Sequence, residues 1–446
     1  MIQPLPLSAF EAYMWADDTP DHPMTALVEV AYTGSLDRGR FEPALQMALR
    51  EHPLLQSIVE SDGNRPRWKR LDNASPPVFW GDEDEALQYP QRSEYLDLTR
   101  EIGVRVWVRA GASAGRVVFQ IHHACADGLG VTNFVFDVFR AYAHLAGDPI
   151  APPARDATLL ASRDRFYRRP LFGRLKMLVW AGLHMVTWLG SRPISLATRT
   201  HEPSPQAPME TIRHQVFERA ELDLLLAVAH EANVTLNDLL LRDLFVALAD
   251  RNGDRAASDE CLCLCMPVNL RTPSDARMPA TNKMTMTFLR RSPQDCGNAA
   301  SLLQNIHEET NGIKRSRRGL RLIEVLRLAL ALRGKVPQRL LAKSSFATAV
   351  LSNLGRIGER DTGLPTDEDG RPLCGDVTIE RVVTAPNGRP GTAVVIVVLT
   401  YAGQLTLSLR FDPTVLAPGD ADRLLEDYVR QLRLTAAENR MACAVG

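Results

Sequence analysis

Apolar residues dominate the first segment, Met24 to Thr33, where Thr25-Ala26-Leu27-Val28-Glu29-Val30-Ala31-Tyr32 reads as a strand. Asp37 then heads a helical stretch carrying Phe41, Leu45 and Leu49, which stops near His52-Pro53. Farther on, Val104, Val106 and Val108 alternate with Arg105, Trp107 and Arg109. A small-residue turn from Gly111 to Gly115 leads into Arg116 to Ile121, which predicts a β-hairpin. On its second strand Val117, Phe119, Ile121 and, if extended backbone persists, His123 share one face, with Gln120 and His122 on the other. The two adjacent histidines are therefore expected to point in opposite directions. Beyond Gly130, Val131, Phe134, Val135, Val138, Phe139 and Tyr142 fall at helical spacing, and the helix should end before Gly147. The histidine pair thus sits in a strand-to-helix turn.

A Pro- and charge-rich stretch follows from Asp148 to Asp156. Leu171 to Gly190 is strongly apolar but carries Arg174, Lys176 and His184, which are costly at bilayer depth, so a core helix, a surface-lying helix or a lobe linker is expected. The chain then turns polar and proline-containing, which divides it into an N-terminal lobe at 1–191, a linker at 192–208 and a C-terminal lobe at 209–446. Thr235-Leu236-Asn237-Asp238 resembles a helix cap leading into Leu240, Leu244 and Leu248, and Cys261 to Val268 is the next strand. Leu320 to Leu341 is an apolar helical stretch with basic residues, core by its ordinary reading and a membrane or partner contact by the alternative. Ala393 to Thr400 and Gln404 to Phe411 flank Tyr401-Ala402-Gly403 as a hairpin, and Pro418 to Leu434 forms a last amphipathic helix. Strand and helix alternate throughout, so the expected class is α/β or α+β, with helices packed on sheets.

The 446 residues, 45% of them hydrophobic, can bury more core than one small domain needs, in keeping with two lobes. A formal net charge of -1 provides no general field for nucleic acid, which is excluded as an expected partner. Of seven cysteines, Cys261, Cys263 and Cys265 alternate and should share one strand face; none of the spacings is that of a metal site, so reduced, buried thiols and no metal are expected. Met1 to Pro6 has neither the basic region nor the apolar core of a secretory signal, and a cytoplasmic protein is expected, with peripheral membrane contact left open.

The chemistry gathers at the histidine turn. An unperturbed imidazole titrates near ~6.5, so one neutral ring can take a proton and later return it. His122-His123-Ala124-Cys125-Ala126-Asp127-Gly128 matches the H-H-x-x-x-D-G signature of coenzyme A-dependent acyltransferases and peptide-synthetase condensation domains. Within that superfamily the chain most resembles bacterial wax ester synthase/diacylglycerol acyltransferase-like proteins. The segments that carry this are Pro6-Leu7-Ser8-Ala9-Phe10-Glu11-Ala12, Pro23-Met24, His52-Pro53-Leu54-Leu55, Asn237-Asp238, Pro267-Val268-Asn269-Leu270-Arg271, Leu351-Ser352-Asn353 and Tyr401-Ala402-Gly403-Gln404-Leu405. The resemblance implies two chloramphenicol-acetyltransferase-like lobes with an active-site tunnel between them.

It also implies residue roles. His123 is the general base of an acyltransferase that moves an acyl group from a thioester to a hydroxyl acceptor, expected to be lipidic, without a covalent enzyme intermediate. His122 points away into packing. Asp127 belongs to the catalytic set and is expected to pair with Arg271 rather than with the base. Gly128 suits a tight turn, the preferred reading, or close approach by substrate. Ser352, Asn353 and Asn282 are candidate oxyanion donors, Ser352 first. The family's Gly-Asn pair is Thr281-Asn282 here, and its Pro-Gly after Ser-Asn is replaced by Leu354-Gly355-Arg356. No permanently bound cofactor is expected; acyl-CoA, or an acyl carrier protein thioester, is the co-substrate. Two alternatives stand beside this reading. One is a condensation-type ester or amide synthase served by a carrier protein in natural-product biosynthesis, the other a non-catalytic lipid- or partner-binding protein on the same fold.

Overall fold

Alternating apolar strands build two large sheets in the computed structural model of the chain, which describes residues 5–61, 65–88, 90, 93–166, 192–196, 211–252, 260–316, 319–333, 347–358, 362–389 and 391–445. The first sheet has six strands in the order Leu373–Cys374, Val377–Ala385, Thr25–Gly34, Ala114–His122, Val104–Ala110 and Val78–Asp82. Val104–Ala110 and Ala114–His122 form the expected hairpin, with Val108 opposite Val117 and Val104 opposite Ile121. Thr25 stands opposite His122, so the strand Thr25–Gly34 begins at the histidine turn.

The second sheet runs Met284–Arg291, Glu260–Asn269, Ala349–Arg356, Val394–Tyr401, Gln404–Phe411 and Ile212–Phe217, with Arg192–Pro193 also paired to Glu260–Asn269. Its C-terminal hairpin is one residue tighter at the turn than the sequence pattern predicts, because Tyr401 pairs with Gln404. The two loop residues, Ala402 at φ 48° and Gly403 at φ 77°, both take the left-handed conformation that a two-residue turn between twisted strands requires. Leu262 and Leu264 face the second core, while Cys263 and Cys265 pack together on the opposite face with Ala347 and Val350. Burial pushes both thiols up to about 12.

The lobes exchange chain. Val377–Ala385 lies antiparallel to Thr25–Gly34, so the segment after Arg356 leaves the second sheet, borders the first and returns as Val394–Tyr401. The first lobe is therefore drawn from both halves of the sequence. Most of the expected linker, 197–208, and the apolar stretch Leu171 to Gly190 lie outside the described residues.

The helix Gly128–Ala146 buries Val131, Phe134, Val135, Val138, Phe139 and Tyr142 and packs on the helix Arg38–Glu51, which contributes Phe41 and Leu45 to the same core. Gly147, at φ 96°, ends it in the left-handed conformation that glycine adopts without strain. Of the stretch Leu320 to Leu341, Leu320–Arg333 is a helix packed on the helix Ala9–Asp17, with Leu320, Ile323 and Leu326 buried and Leu328 exposed; the rest lies outside the described residues. Among the described residues no single helix is long and apolar enough to cross a membrane.

Candidate functional site

The strand ends at His122, and His123 is the first residue of the turn. The His122 N–H donates to the Gly103 carbonyl at 3.0 Å and the His123 N–H to the Met24 carbonyl at 2.7 Å, so successive side chains leave opposite faces. His122 is fully buried. Its Nδ1 accepts the Ala124 N–H at 3.0 Å, which leaves the proton of the neutral ring on Nε2, 3.2 Å from Asp18 Oδ2 in an unaligned contact. Asp18 Oδ1 also accepts the Met24 N–H at 2.7 Å, tying the start of the strand Thr25–Gly34 to this turn. No local pattern in the sequence singles out Asp18.

His123 is half-buried and its Nδ1 is buried. Loss of solvation holds its proton affinity below that of an ordinary imidazole, against the opposing pull of its own carbonyl, the Asp127 charge and the Asn282 side chain. The ring is therefore neutral at pH 7. Cys125 lies in the same turn, and burial pushes its thiol well above the ordinary range, which keeps it protonated.

Asp127 is the cap of the following helix, and its carboxylate is fully engaged there. Oδ1 accepts the Gly130 N–H at 2.9 Å; Oδ2 accepts the Lys283 N–H at 2.8 Å and Arg271 Nη1 at 2.7 Å. Arg271 Nη2 donates in turn to the Thr281 carbonyl at 2.9 Å. None of these bonds goes to His123.

One short stretch of the second lobe fastens the whole turn. The Ala280 N–H donates to His52 Nδ1 at 2.8 Å, while His52 Nε2 meets Asp137 Oδ2 at 2.9 Å. Thr281 accepts the Asp127 N–H and lies against Gly130, where an added Cβ would stand 3.1 Å from the Thr281 backbone. Asn282 Nδ2 donates to the carbonyls of His123 at 2.7 Å and Ala124 at 2.8 Å. Both amide hydrogens are thereby used within the turn, which leaves the Asn282 side-chain nitrogen no hydrogen for an oxyanion; its place is behind His123.

The strand Ala349–Arg356 reaches the same turn from the second sheet. Leu354 covers Gly128, where an added Cβ would lie 2.5 Å from Leu354 Cδ2. Gly128 is the first helical residue and has no positive φ, so the tight-turn reading gives way to close approach by a protein side chain. Ser352, half-buried, lies two positions earlier on this strand, and Asn353 Oδ1 accepts the Gly355 N–H at 2.8 Å where the register shifts and Gly355 adopts φ 70°. A cavity of about 440 Å³ opens between the motif helix and the end of this strand, bordered by Leu129, Thr132, Phe136, Arg155, Arg356 and Ile357. The Asp238 carboxylate, by contrast, caps its own helix, accepting the Thr235 N–H at 2.9 Å, and meets His307 Nδ1 at 2.9 Å.

No known family model matches the chain. Its architecture is that of a solved condensation domain: the starter condensation domain of rhizomide synthetase RzmA, in complex with C8-CoA and Leu-SNAC, superposes with a TM-score of 0.70 at 18% identity, over 97% of this chain and 94% of that one. The SgcC5 protein from Streptomyces globisporus, in complex with (R)-(-)-1-(2-naphthyl)-1,2-ethanediol and sucrose, gives 0.68 at 17% identity over 97% and 98%. Among curated proteins, the uncharacterized protein Rv2305 of Mycobacterium tuberculosis is 23% identical over 393 residues, 80% of this chain and 84% of that protein. The fold is thus the two-lobed fold of the solved condensation domain, with two sheets packed by helices.

Proposed function

We propose that the chain transfers an acyl group from a thioester to a hydroxyl acceptor, with His123 as general base. The observation that carries this is a neutral, half-buried imidazole in a turn held by both lobes, with the neighbouring Asp127 carboxylate committed elsewhere. His123 Nε2 takes the acceptor's proton as its oxygen attacks the thioester carbonyl. The tetrahedral oxyanion receives a hydrogen bond from the Ser352 hydroxyl, the C–S bond breaks, and the imidazolium returns the proton to the departing thiolate. The buried Cys125 thiol offers no covalent route. Asp127, Arg271, His122 and Gly128 act by holding the turn, and Asn353 by shaping the strand end.

Acyl-CoA as donor and a lipidic alcohol as acceptor follow the wax ester synthase-like segments. They also agree with a fold relative that holds C8-CoA and another that holds a diol. The second reading, a carrier-protein thioester as donor, is favoured by the fact that the RzmA relative is a domain of a synthetase. Purified protein incubated with acyl-CoAs of varied chain length and with alcohols or amines should release free thiol and form the ester. Release only from a loaded carrier protein would select the second reading, and no release from either donor would leave a binding protein.

A further inference from the structure

We propose that His52 is a positioning residue for His123: through Ala280 it carries the hold of Asp137 and Arg155, two residues of the cavity wall, to the stretch 280–283 that grips the histidine turn. The inference rests on the acyl-transfer reading only for its effect on turnover.

His52 closes the helix Arg38–Glu51, and Pro53 behind it cannot continue that helix. The imidazole is fully buried, so neither ring nitrogen reaches water. Nδ1 accepts the Ala280 N–H at 2.8 Å, which puts the proton of the neutral ring on Nε2, 2.9 Å from Asp137 Oδ2. Phe134 meets the ring edge-on, with centroids 5.3 Å apart, and fixes its plane. Asp137 in turn holds Arg155, whose Nε and Nη2 donate to its two carboxylate oxygens at 2.7 and 3.0 Å. Arg155 also reaches the second lobe directly, Nη1 donating to the Ala276 carbonyl at 3.2 Å.

Beyond Ala280 the same stretch makes its grip on the turn. The Thr281 carbonyl accepts the Asp127 N–H at 3.3 Å, Asn282 Nδ2 donates to the His123 carbonyl at 2.7 Å, and the Lys283 N–H donates to Asp127 Oδ2 at 2.8 Å. A neutral imidazole accepts on one side and donates on the other at a fixed spacing, which suits it to join a backbone N–H to a carboxylate. A second proton would turn a donor toward the Ala280 N–H. Burial and Arg155 oppose that proton, Asp137 and Glu51 favour it, and burial dominates.

The test follows amide hydrogen exchange by NMR at Ala280, Asp127 and Lys283 in the 15N-labelled full chain. His52→Gln keeps a donor near the place of Nε2 but leaves the Ala280 N–H without an acceptor. Exchange at Ala280 should rise roughly five- to hundredfold, the span for a buried donor left unpaired, and exchange at Asp127 and Lys283 should rise with it. His52→Asn sets an oxygen near the place of Nδ1 and should restore protection at all three. Asp137→Asn should raise exchange at Ala280 in the wild-type background and add nothing in His52→Gln, because the hold passes through the ring. A rise confined to Ala280, equal rises in the two His52 variants, or additive effects of the Asp137 and His52 changes would overturn the proposal. So would wild-type 15N shifts that place the His52 proton on Nδ1, a result that needs no variant to fold. With acyl-CoA, folded His52→Gln should lose turnover and His52→Asn regain it. If the wild type releases no thiol, the acyl-transfer reading falls, and the exchange results still decide the role of His52.

Discussion

Arg271 Nη1 donates to Asp127 Oδ2 at 2.7 Å, joining the second lobe to the first at the start of the helix that follows the histidine pair. The acid four residues after His123 is therefore not an orienting partner of that ring. It is a helix cap and the anchor of a cross-lobe tie, which explains why the turn needs a carboxylate there although the imidazole never touches it.

Breaking this tie should cost stability. Asp127 is almost wholly buried and Arg271 nearly so, and removal of one partner leaves an uncompensated charge. Arg271→Ala should destabilise the protein by about 3 kcal/mol, the low end of the range for buried pairs, measured by denaturant unfolding. The reversed pair, Asp127→Arg with Arg271→Asp, should not recover the loss, since the Gly130 and Lys283 N–H groups still need an acceptor at 127. Full recovery would reduce the role of Asp127 to its charge alone.

Gly128 and Gly130 should separate by what they face. An added methyl at 128 meets the end of the movable Leu354 side chain, whereas at 130 it meets the Thr281 backbone. Gly128→Ala should cost about 1 kcal/mol, a modest overpacking loss partly offset by the helix preference for alanine, and Leu354→Ala should relieve it. Gly130→Ala should cost more and find no such relief. Equal losses in thermal unfolding would contradict the packing described.

Acid should weaken the fold before the carboxylates titrate. Burial lowers the proton affinity of His52, against the pull of Asp137, and burial likewise lowers that of His123. The unfolded chain takes up these protons near pH ~6.5 while the folded chain does not, so stability is full above that value and falls as the pH drops below it. The unfolding midpoint should decline between pH 7 and pH 5. The acid limb of the rate profile should also lie below ~6.5, because the base stays neutral further into the acid range. A limb above that value would show His123 to be stabilised as the cation.

Ser352 carries the remaining chemical assignment. Ser352→Ala should reduce turnover by about 10²–10³-fold, as for loss of one oxyanion donor, with little change in unfolding midpoint. An unchanged rate would move that role to a backbone N–H.

Period-two alternation made the 104–122 hairpin legible, and helical spacing did the same for the motif helix, because both are local and amphipathic. The opposed histidine rings followed from the same alternation. What decides the site is not local. Asn282 meets His123 across 159 positions, Asp18 meets His122 from the end of the helix Ala9–Asp17, and the strand Val377–Ala385 crosses between lobes, none of which leaves a periodic trace. Arg271 was legible as the partner of Asp127 only through family resemblance. A glycine at 128 suggests a turn, because nothing local in the sequence brings Leu354 over it.

The most direct measurement is thiol release from acyl-CoA by the wild type and by His123→Ala, each checked for an unchanged unfolding midpoint. Loss of a general base should lower the rate by about 10²–10⁴-fold in a folded variant. Full release by folded His123→Ala would contradict the account, because no other group in the turn is placed to take the acceptor's proton.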